Sequence, residues 1–266
     1  MQDNENASKG AKNEDSQNTS ADFKYEDLEL AVSKMLKAGV HFGHKSSRWN
    51  PKMKPYIFGT RNGIHIIDLD KTLVMFQKAL EYIQQVVANG GKILFVGTKP
   101  QAQNVIQWAG EKTGMPYVVN RWLGGAFTNF NEIKKRIRYL NDQEEKLARG
   151  EFEKYTKYEQ GKIKKEIEKM NEKMGGIKRM ENFPQLVFAV DIKEDGLALK
   201  EARWMKIPIV AIADTNHDPT LADYVIPAND DALSSLKYIL GIVVKKIKET
   251  KSKAKPVSNN KPEIKS

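Results

Sequence analysis

The sequence predicts an α/β fold in which helices cover both faces of a parallel sheet and a helical hairpin is inserted into the chain. Short runs that are apolar at every position alternate with segments that carry apolar residues at helical spacing. Continuous apolar runs suit strands buried on both faces, and their alternation with helices is typical of parallel sheets. Residues 129–182 interrupt this alternation with a different, heptad spacing.

The elements follow in order along the chain. Helical spacing at 28–36 ends at Gly39, a β-branched run follows at 64–67, and a second helical face runs from Leu73 to Ile83 until Gly90 stops it. The remaining predicted strands are 93–96, 117–119, 186–190, 209–212 and 224–226, and the remaining predicted helices are 101–112, 197–205 and 230–246.

The stretch 129–182 has two segments with apolar residues at four-three spacing, joined near Gly150. The seam residues are Ile133, Ile137, Leu140 and Leu147 in the first segment and Ile163, Ile167, Met170, Met174 and Ile177 in the second. This pattern predicts an antiparallel coiled-coil hairpin. With fifteen Lys or Arg against eleven Asp or Glu, its surface is either solvated or faces a charged partner. A salt-bridged helix pair that only stabilises the fold is the alternative.

Composition divides the chain into four parts. Residues 1–22 hold five acids, two lysines and almost no large apolar side chain, which predicts a disordered acidic N-terminal extension. Residues 245–266 hold eight lysines and two prolines, which predicts a disordered basic tail. Between them, 23–128 and 183–244 form the predicted α/β domain around the inserted hairpin at 129–182.

Charge and composition narrow the class of protein. Lys and Arg number 44 against 34 Asp and Glu, a formal net charge of +10, so a polyanion is the first partner to consider, and mere solubility is the alternative. Cysteine is absent, which excludes disulfides, thiolate metal sites and cysteine nucleophiles. The polar start and the lack of an apolar run of about 18 residues predict a cytoplasmic protein without membrane association.

A basic loop between the first helix and the first strand is a candidate RNA-binding segment. It contains Lys45, Arg48, Lys52 and Lys54 around Trp49. Cations neutralise backbone phosphates and an indole stacks on unpaired bases, so all five residues are predicted RNA contacts. A structurally packed loop with solvated cations is the alternative.

Two further cations lie at strand ends. Lys99 follows the strand at 93–96 through Gly97, where α/β folds bind phosphates, and Arg121 precedes the hairpin. Both are predicted RNA contacts, and Arg121 also orients the root of the hairpin. An enzyme acting on nucleotides or sugar phosphates through Gly97, Lys99 and Asp214 is a competing hypothesis, but the glycine-rich phosphate-binding fingerprints do not occur.

Carboxylates at other strand ends form a candidate cation site. Asp191, Asp214 and Asp218 are placed to hold Mg²⁺, although the turn-forming chemistry of Asp and Asn explains the same residues. His41 and His44 are three positions apart without a third ligand nearby in sequence, so no metal is assigned to them. No Ser, His and Asp arrangement indicates catalysis, and no other cofactor is expected.

Several motifs in one order resemble the bacterial small-subunit ribosomal protein S2 family. They cover about 28–246 and read AGVHFGH at 38–44, RWNPKM at 48–53, NGIHIIDL at 62–69, RWLGG at 121–125 with TN at 128–129, GGI at 175–177, DTN at 214–216 and NDD at 229–231. His217 departs from the family pattern, in which Cys or another small residue is expected.

The resemblance implies a flavodoxin-like, Rossmann-type sheet with an inserted coiled-coil hairpin. It implies a structural constituent of the small ribosomal subunit, without catalytic residues, that binds small-subunit rRNA and neighbouring ribosomal proteins during assembly and translation. Those neighbours include the large ribosomal protein S1 where that protein exists. A homo-oligomer is not expected. A coiled-coil adaptor that binds protein instead of RNA remains a third hypothesis.

Overall fold

The computed structural model describes residues 29–253, so the predicted N-terminal extension and the last part of the predicted tail lie outside the described residues. Within these described residues, eight strands form two sheets. β1 (Phe42–Lys45), β2 (Ile57–Arg61) and β3 (Ile64–Ile67) make a small antiparallel sheet in the order β1-β3-β2. The larger sheet is parallel and contains β4 (Ile93–Val96), β5 (Tyr117–Val118), β6 (Leu186–Ala189), β7 (Ile209–Ala213) and β8 (Tyr224–Pro227).

Seven α-helices accompany these strands in the described part of the chain. They are α1 (Val32–Lys37), α2 (Leu69–Ala88), α3 (Pro100–Thr113), α4 (Phe130–Ala148), α5 (Lys157–Met174), α6 (Gly196–Trp204) and α7 (Leu233–Lys253). Short 3₁₀ helices cover Pro51–Tyr56, Gly175–Ile177 and Pro219–Leu221. None of the described helices is both long enough and apolar enough to cross a membrane.

The central strands bury both of their faces. Alternate residues of β4 belong to two different cores: Phe95 packs with α2, α3 and α7, whereas Leu94 packs with α4 and α6. A strand buried on both faces excludes polar residues, which explains why these strands appear in the sequence as uninterrupted apolar runs. The α/β prediction, with a parallel sheet covered on both faces, is therefore confirmed.

Strand order determines where a site can form. The parallel sheet runs β5-β4-β6-β7-β8, and the direction of winding reverses between β4 and β6. This order corresponds to the 2-1-3-4-5 order of flavodoxin-like sheets, in which ligands bind beyond the carboxyl ends of the strands that flank the reversal. The carboxyl ends of β4 and β6 lead to Lys99 and Asp191.

Two parts of the structure differ from the sequence prediction. The basic loop is partly ordered as β1 and a 3₁₀ helix, because β3 pairs with both β1 and β2. The last helix runs through Lys253, nine residues into the predicted disordered tail at 245–266. It continues because Ile247 and Thr250 are buried and Lys251 donates a hydrogen bond to the carbonyl of Thr113, 2.7 Å away.

The inserted segment forms two helices, α4 and α5, that contact each other. The predicted seam residues Ile137, Leu140 and Ile167 are buried. Glu144, the polar residue of the first seam, accepts hydrogen bonds from Asn171 at 2.5 Å and from Lys178 at 2.6 Å. Supercoiled packing of the two arms stays a prediction.

Candidate functional site

The basic loop is held against the end of the parallel sheet. Asn50 donates its backbone N–H to the carbonyl of Thr215 at 2.8 Å, and its side chain accepts from Lys52 N at 3.0 Å. Met53 is completely buried in the core, and this side chain anchors the 3₁₀ helix to the domain. The loop that follows β1 is therefore held in place by contacts with the end of the parallel sheet.

The five predicted RNA-contact residues of this loop are exposed. Lys45, Arg48 and Lys54 form no ion pair with any residue between 29 and 253. Lys52 binds Asp218 at 2.6 Å, and this hydrogen bond, with that of Thr220, lowers the pKa of Asp218 to about 2.

Trp49, the aromatic residue of the loop, is 38% exposed. Its ring centroid lies 5.4 Å from that of His65. The indole is thus partly packed and partly open to a partner.

The root of the hairpin is organised by one buried carboxylate. Glu201 of α6 accepts hydrogen bonds from the indole N–H of Trp122 at 3.1 Å and from the backbone N–H groups of Gly125 at 2.8 Å and Phe127 at 2.9 Å. Burial opposes ionisation, but these donors and the N–H of Thr128 outweigh it and lower the pKa of Glu201. Glu201 therefore remains ionised and fixes the loop that carries exposed Arg121.

A groove of about 620 Å³ lies between the two arms of the hairpin. Half of its ten lining residues are cations: Arg136, Lys162, Lys165, Lys169 and Lys173. Only one acid, Glu166, lines it. Such a surface attracts polyanions, because the cations neutralise closely spaced phosphates.

The reversal point of the sheet is filled by side chains of the chain itself. The Lys99 ammonium lies 3.4 Å from Asp191 and 3.0 Å from Asp230, and it also pairs with Asp231. Burial would lower the pKa of Lys99, but hydrogen bonds and charge from Asp231 and Asp230 raise it. Lys99 is therefore charged, largely buried and held by three carboxylates.

A further carboxyl group, that of Asp195, lies at the turn after β4. Asp195 accepts hydrogen bonds from Thr98 N at 3.1 Å and from Thr98 Oγ1 at 2.8 Å. Burial raises the pKa of Asp195 to about 6. The backbone N–H and the hydroxyl of Thr98 are thus already used within the protein.

Histidines extend the carboxylate cluster. His44 Nδ1 lies 3.0 Å from Asp214, and this hydrogen bond raises the pKa of His44. His217 Nε2 lies 3.3 Å from Asp191, yet burial lowers the pKa of His217. Burial, with the charges of Asp214 and Asp191, raises the pKa of Asp230 to about 8.

The cluster contains two overlapping sets of residues able to hold a metal ion. The first set is His44, Asp214, Asp230 and Asp231, and the second is Asp191, His217 and Asp230, with ligand atoms within 4.8 Å of one another in each. One buried oxygen of Asp230, Oδ2, has no hydrogen-bond partner. Asp218 belongs to neither set, because it binds Lys52 instead.

The predicted residues thus separate into three places. The loop cations lie together around Trp49, Arg121 lies at the hairpin root, and Lys99 joins Asp191 in the buried cluster. Sequence reasoning missed Asp230 and Asp231, although both follow a predicted strand end and carboxyl ends of parallel strands meet at one edge. It also missed Glu201, because a glutamate in the middle of a helix carries no local sequence signal of such a role.

The sequence of the chain is similar to those of one family of ribosomal proteins. A family model described as Ribosomal protein S2 matches residues 35–250. Small ribosomal subunit protein uS2 of Roseiflexus sp. (strain RS-1) is 53% identical over 210 residues, 79% of this chain and 80% of the relative. The proteins of the same name from Dehalococcoides mccartyi (strain ATCC BAA-2266 / KCTC 15142 / 195) and Oleidesulfovibrio alaskensis are 50% and 49% identical, over 78% and 80% of this chain and 85% and 82% of their own lengths.

Proposed function

This chain belongs to the ribosomal protein S2 family, and we propose that it is a structural constituent of the small ribosomal subunit that binds small-subunit rRNA and neighbouring ribosomal proteins during assembly and translation. The resemblance predicted from the motifs is confirmed. The family is structural and non-enzymatic, so the prediction that the chain is not an enzyme is confirmed as well.

The observation that carries the rRNA proposal is the pair of exposed basic surfaces on one chain. The first surface is the basic loop, which includes Trp49 and is partly ordered as a 3₁₀ helix. Its cations are Lys45, Arg48, Lys52 and Lys54. The second surface is the basic groove between α4 and α5. Cations bind phosphates without reading sequence, so RNA shape selects the position and these surfaces supply the affinity.

The roles of the individual residues differ within this proposal. Lys45, Arg48 and Lys54 bind phosphate, Trp49 stacks on a base, and Lys52 contributes charge while it remains paired with Asp218. Arg121 binds phosphate at the hairpin root. The contact of Lys99 with RNA stays a prediction, and it requires the ammonium to leave three carboxylates.

The remaining partners follow from the resemblance. We propose that the two helical arms pack as an antiparallel coiled coil and anchor the protein to rRNA and neighbouring proteins. S1 is among those neighbours where it exists, and the chain acts as one copy per particle in the cytoplasm. Buried Ile137 and Ile167 in the predicted seam support the packing of the arms.

A sucrose-gradient profile of the tagged chain tests the proposal. We expect the protein to sediment with small ribosomal subunits and to leave them as salt rises, because phosphate contacts weaken with salt. Replacing Arg48, Lys52 and Lys54 by Ala should lower the fraction in particles. A folded wild-type chain that stays at the top of the gradient, or follows protein after RNase treatment, would reject the rRNA role in favour of an adaptor.

We also propose that the buried carboxylate cluster can bind a divalent cation, in a modified form of the site predicted from sequence. Asp230 Oδ2 is buried without a hydrogen-bond partner, 3.7 Å from His217 Nε2, and it lies near the His44 imidazole, which supports this proposal. A mixed imidazole and carboxylate set suits Zn²⁺ or Mn²⁺ better than Mg²⁺, which prefers oxygen ligands alone. The ion would compete with the Lys99 ammonium for the same carboxylates.

Titration calorimetry with Zn²⁺, Mn²⁺ and Mg²⁺ tests the cation site on the full chain. We expect Asp214→Asn to weaken binding at least tenfold, because it removes one ligand. Asp218→Asn is the matched control and should leave binding unchanged. Equal effects of the two variants would favour the set predicted from sequence, and no binding of any of the three ions would reject the site.

A further inference from the structure

The exposed face of α6 carries the most exposed tryptophan among the described residues. Trp204, the last residue of the helix, is 81% exposed. Leu197, seven positions earlier on the same side, is 51% exposed. A large aromatic ring left in water beside a second apolar side chain is typical of a binding surface.

The exposed charges between 196 and 208 are all positive, whereas Glu194, just before the helix, is an exposed acid. Lys200, Arg203 and Lys206 are all exposed, and the only acid between 196 and 208 is Glu201, which is buried at the hairpin root. Lys200 lies one helical turn before Trp204, so the ammonium and the indole share one face. We call Leu197, Lys200, Trp204 and Lys206 the α6 face.

Lys206 has an unusual backbone conformation. Its φ is 56°, in the left-handed region that favours glycine at the end of a helix. Lysine adopts this conformation at a cost that glycine would avoid, so the position can be used to separate the effect of the charge from that of the backbone.

The α6 face lies between the two basic surfaces of the proposed function. At one end, Arg203 donates to the carbonyl of Thr220 at 2.8 Å, and the Thr220 hydroxyl accepts from Lys52 of the basic loop at 3.3 Å. At the other end, a Cβ on Gly124 would lie 4.0 Å from Leu197. The next residue back along the chain, Leu123, lines the groove of the hairpin.

We propose that the α6 face binds an unpaired nucleotide of RNA, with its base stacked on the Trp204 indole and its flanking phosphates on Lys200 and Lys206. This inference rests on the proposed function and adds a specific site to it. Charge complementarity favours RNA over a protein partner, because the exposed cations Lys200, Arg203 and Lys206 outnumber the one exposed acid beside the helix, Glu194. Such an excess of cations matches phosphates, and indoles stack on any base.

Binding of the full chain to a small-subunit rRNA transcript tests the stacking contact. We expect Trp204→Ala to weaken binding about 5-fold to 100-fold, the usual range for loss of one base stack, and Trp204→Phe to retain most of the affinity. Because the ring is exposed, neither variant should change the melting temperature. Equal affinities of wild type, Trp204→Ala and Trp204→Phe would overturn the proposal.

Lys206→Gly separates charge from structure. Glycine relaxes the left-handed backbone, so we expect the variant to melt at the same or a higher temperature while it binds RNA more weakly. The slope of log affinity against log salt should fall by about one phosphate contact. Lys78→Gln, at an exposed position of α2, removes the same charge elsewhere and should change neither property. Unchanged RNA affinity in Lys206→Gly would count against the site.

Hydroxyl-radical footprinting read by mass spectrometry locates the contact on the wild-type protein. Trp204 should be protected in the complex with naked rRNA. If Trp204 is protected only in complete small subunits and stays protected after RNase digestion of the rRNA, the partner is a protein and the RNA site is rejected. If the folded wild-type chain binds no rRNA, the proposed function itself has failed, whereas normal rRNA binding with an unprotected Trp204 rejects only the α6 face.

Discussion

Glu201 shows how one residue can hold a whole element in place. Its two carboxylate oxygens accept hydrogen bonds from the indole N–H of Trp122 and from the backbone N–H groups of Gly125, Phe127 and Thr128. Replacing a buried acceptor by a group that is partly a donor leaves N–H groups without a partner. The geometry of the hairpin root therefore depends on this side chain.

We expect Glu201→Gln to destabilise the fold by about 2–3 kcal/mol, since the amide N–H₂ would face backbone donors that the carboxylate now satisfies. Urea unfolding at pH 7 measures the change. Glu194→Gln, in an exposed position next to the same helix, is the control and should lie within about 0.5 kcal/mol of wild type. Similar stabilities of the two variants would show that the root is held by other contacts.

Asp195 should make stability depend on pH. Burial raises its pKa in the folded protein to about 6, above the ordinary 3.8. Because the folded state favours the protonated form, the contribution of this group is greatest below pH 3.8. It is lost as pH rises to about 6.

Asp195→Asn removes this titration while its oxygen can still accept from Thr98. We expect the stability of the variant relative to wild type to rise by about 2–3 kcal/mol between pH 4 and pH 6 and then to stay constant. Urea unfolding at four pH values measures the difference, with Asp70→Asn, exposed on α2, as the control. A difference that does not change with pH would contradict the raised pKa.

The surroundings of individual candidate site residues could be predicted only where the signal is local. The loop cations around Trp49 are adjacent in sequence, and the structure keeps them exposed in one segment. The environment of Lys99 could not be predicted, because Asp230 lies 131 positions away and meets it only through the strand order of the sheet. The carboxylates neutralise the cation that the sequence assigned to phosphate.

At the scale of elements, periodicity predicted the buried strands and the long helices. The run Ile93–Val96 is apolar throughout because it is buried on both faces, and such a run has few alternatives. The small sheet was only partly predicted, because β1 contains Gly43 and His44 and pairs through a long-range partner, β3. The end of α7 was predicted too early, because its last turns are rich in lysine, although their buried side carries Ile247.

Two glycines of the second arm test how the hairpin joins the sheet. A Cβ on Gly176 would clash with the backbone carbonyl of Tyr117 and lie 2.6 Å from its Cδ2, whereas a Cβ on Gly161 would meet nothing within 4 Å. Gly176 therefore lets the end of the hairpin approach β5 closely.

We expect Gly176→Ala to destabilise the protein by about 2 kcal/mol or more, because a strand backbone cannot move aside cheaply. Gly161→Ala, inside α5, should stabilise it by about 0.5–1 kcal/mol through helix propensity. Thermal unfolding of both variants measures the two signs. Equal shifts would mean that the hairpin end is not packed tightly on β5.

At the scale of the whole molecule, the two faces of the parallel sheet are covered by different helices, and the proposed basic surfaces lie on one side. Helices α2, α3 and α7 close one core, while α6 and the base of the hairpin close the other. The hairpin groove and the α6 face belong to the second side, and Thr220 links the α6 face to the basic loop. A polyanion that followed all three surfaces would contact one continuous side of the protein.

Salt dependence of rRNA binding measures whether the basic loop and the groove act on one RNA. Lys45→Gln with Lys54→Gln removes two cations from the loop, and Lys165→Gln with Lys169→Gln removes two from the groove. Each pair should reduce the slope of log affinity against log salt by about 1.5, since each phosphate contact contributes about 0.7–0.9. The four substitutions together should reduce it by about 3.

The control pair, Lys78→Gln with Lys112→Gln, removes the same charge from α2 and α3 on the other side of the sheet. If net charge alone drove binding, this pair would change the slope as much as the loop or groove pair. A small effect of the control pair would therefore mean that the position of the cations determines the affinity. Additive slopes in the fourfold variant mean that one RNA occupies both surfaces at once. If the variant with all four substitutions reduced the slope only as much as one of the two pairs, then only the surface that carries that pair would bind phosphate.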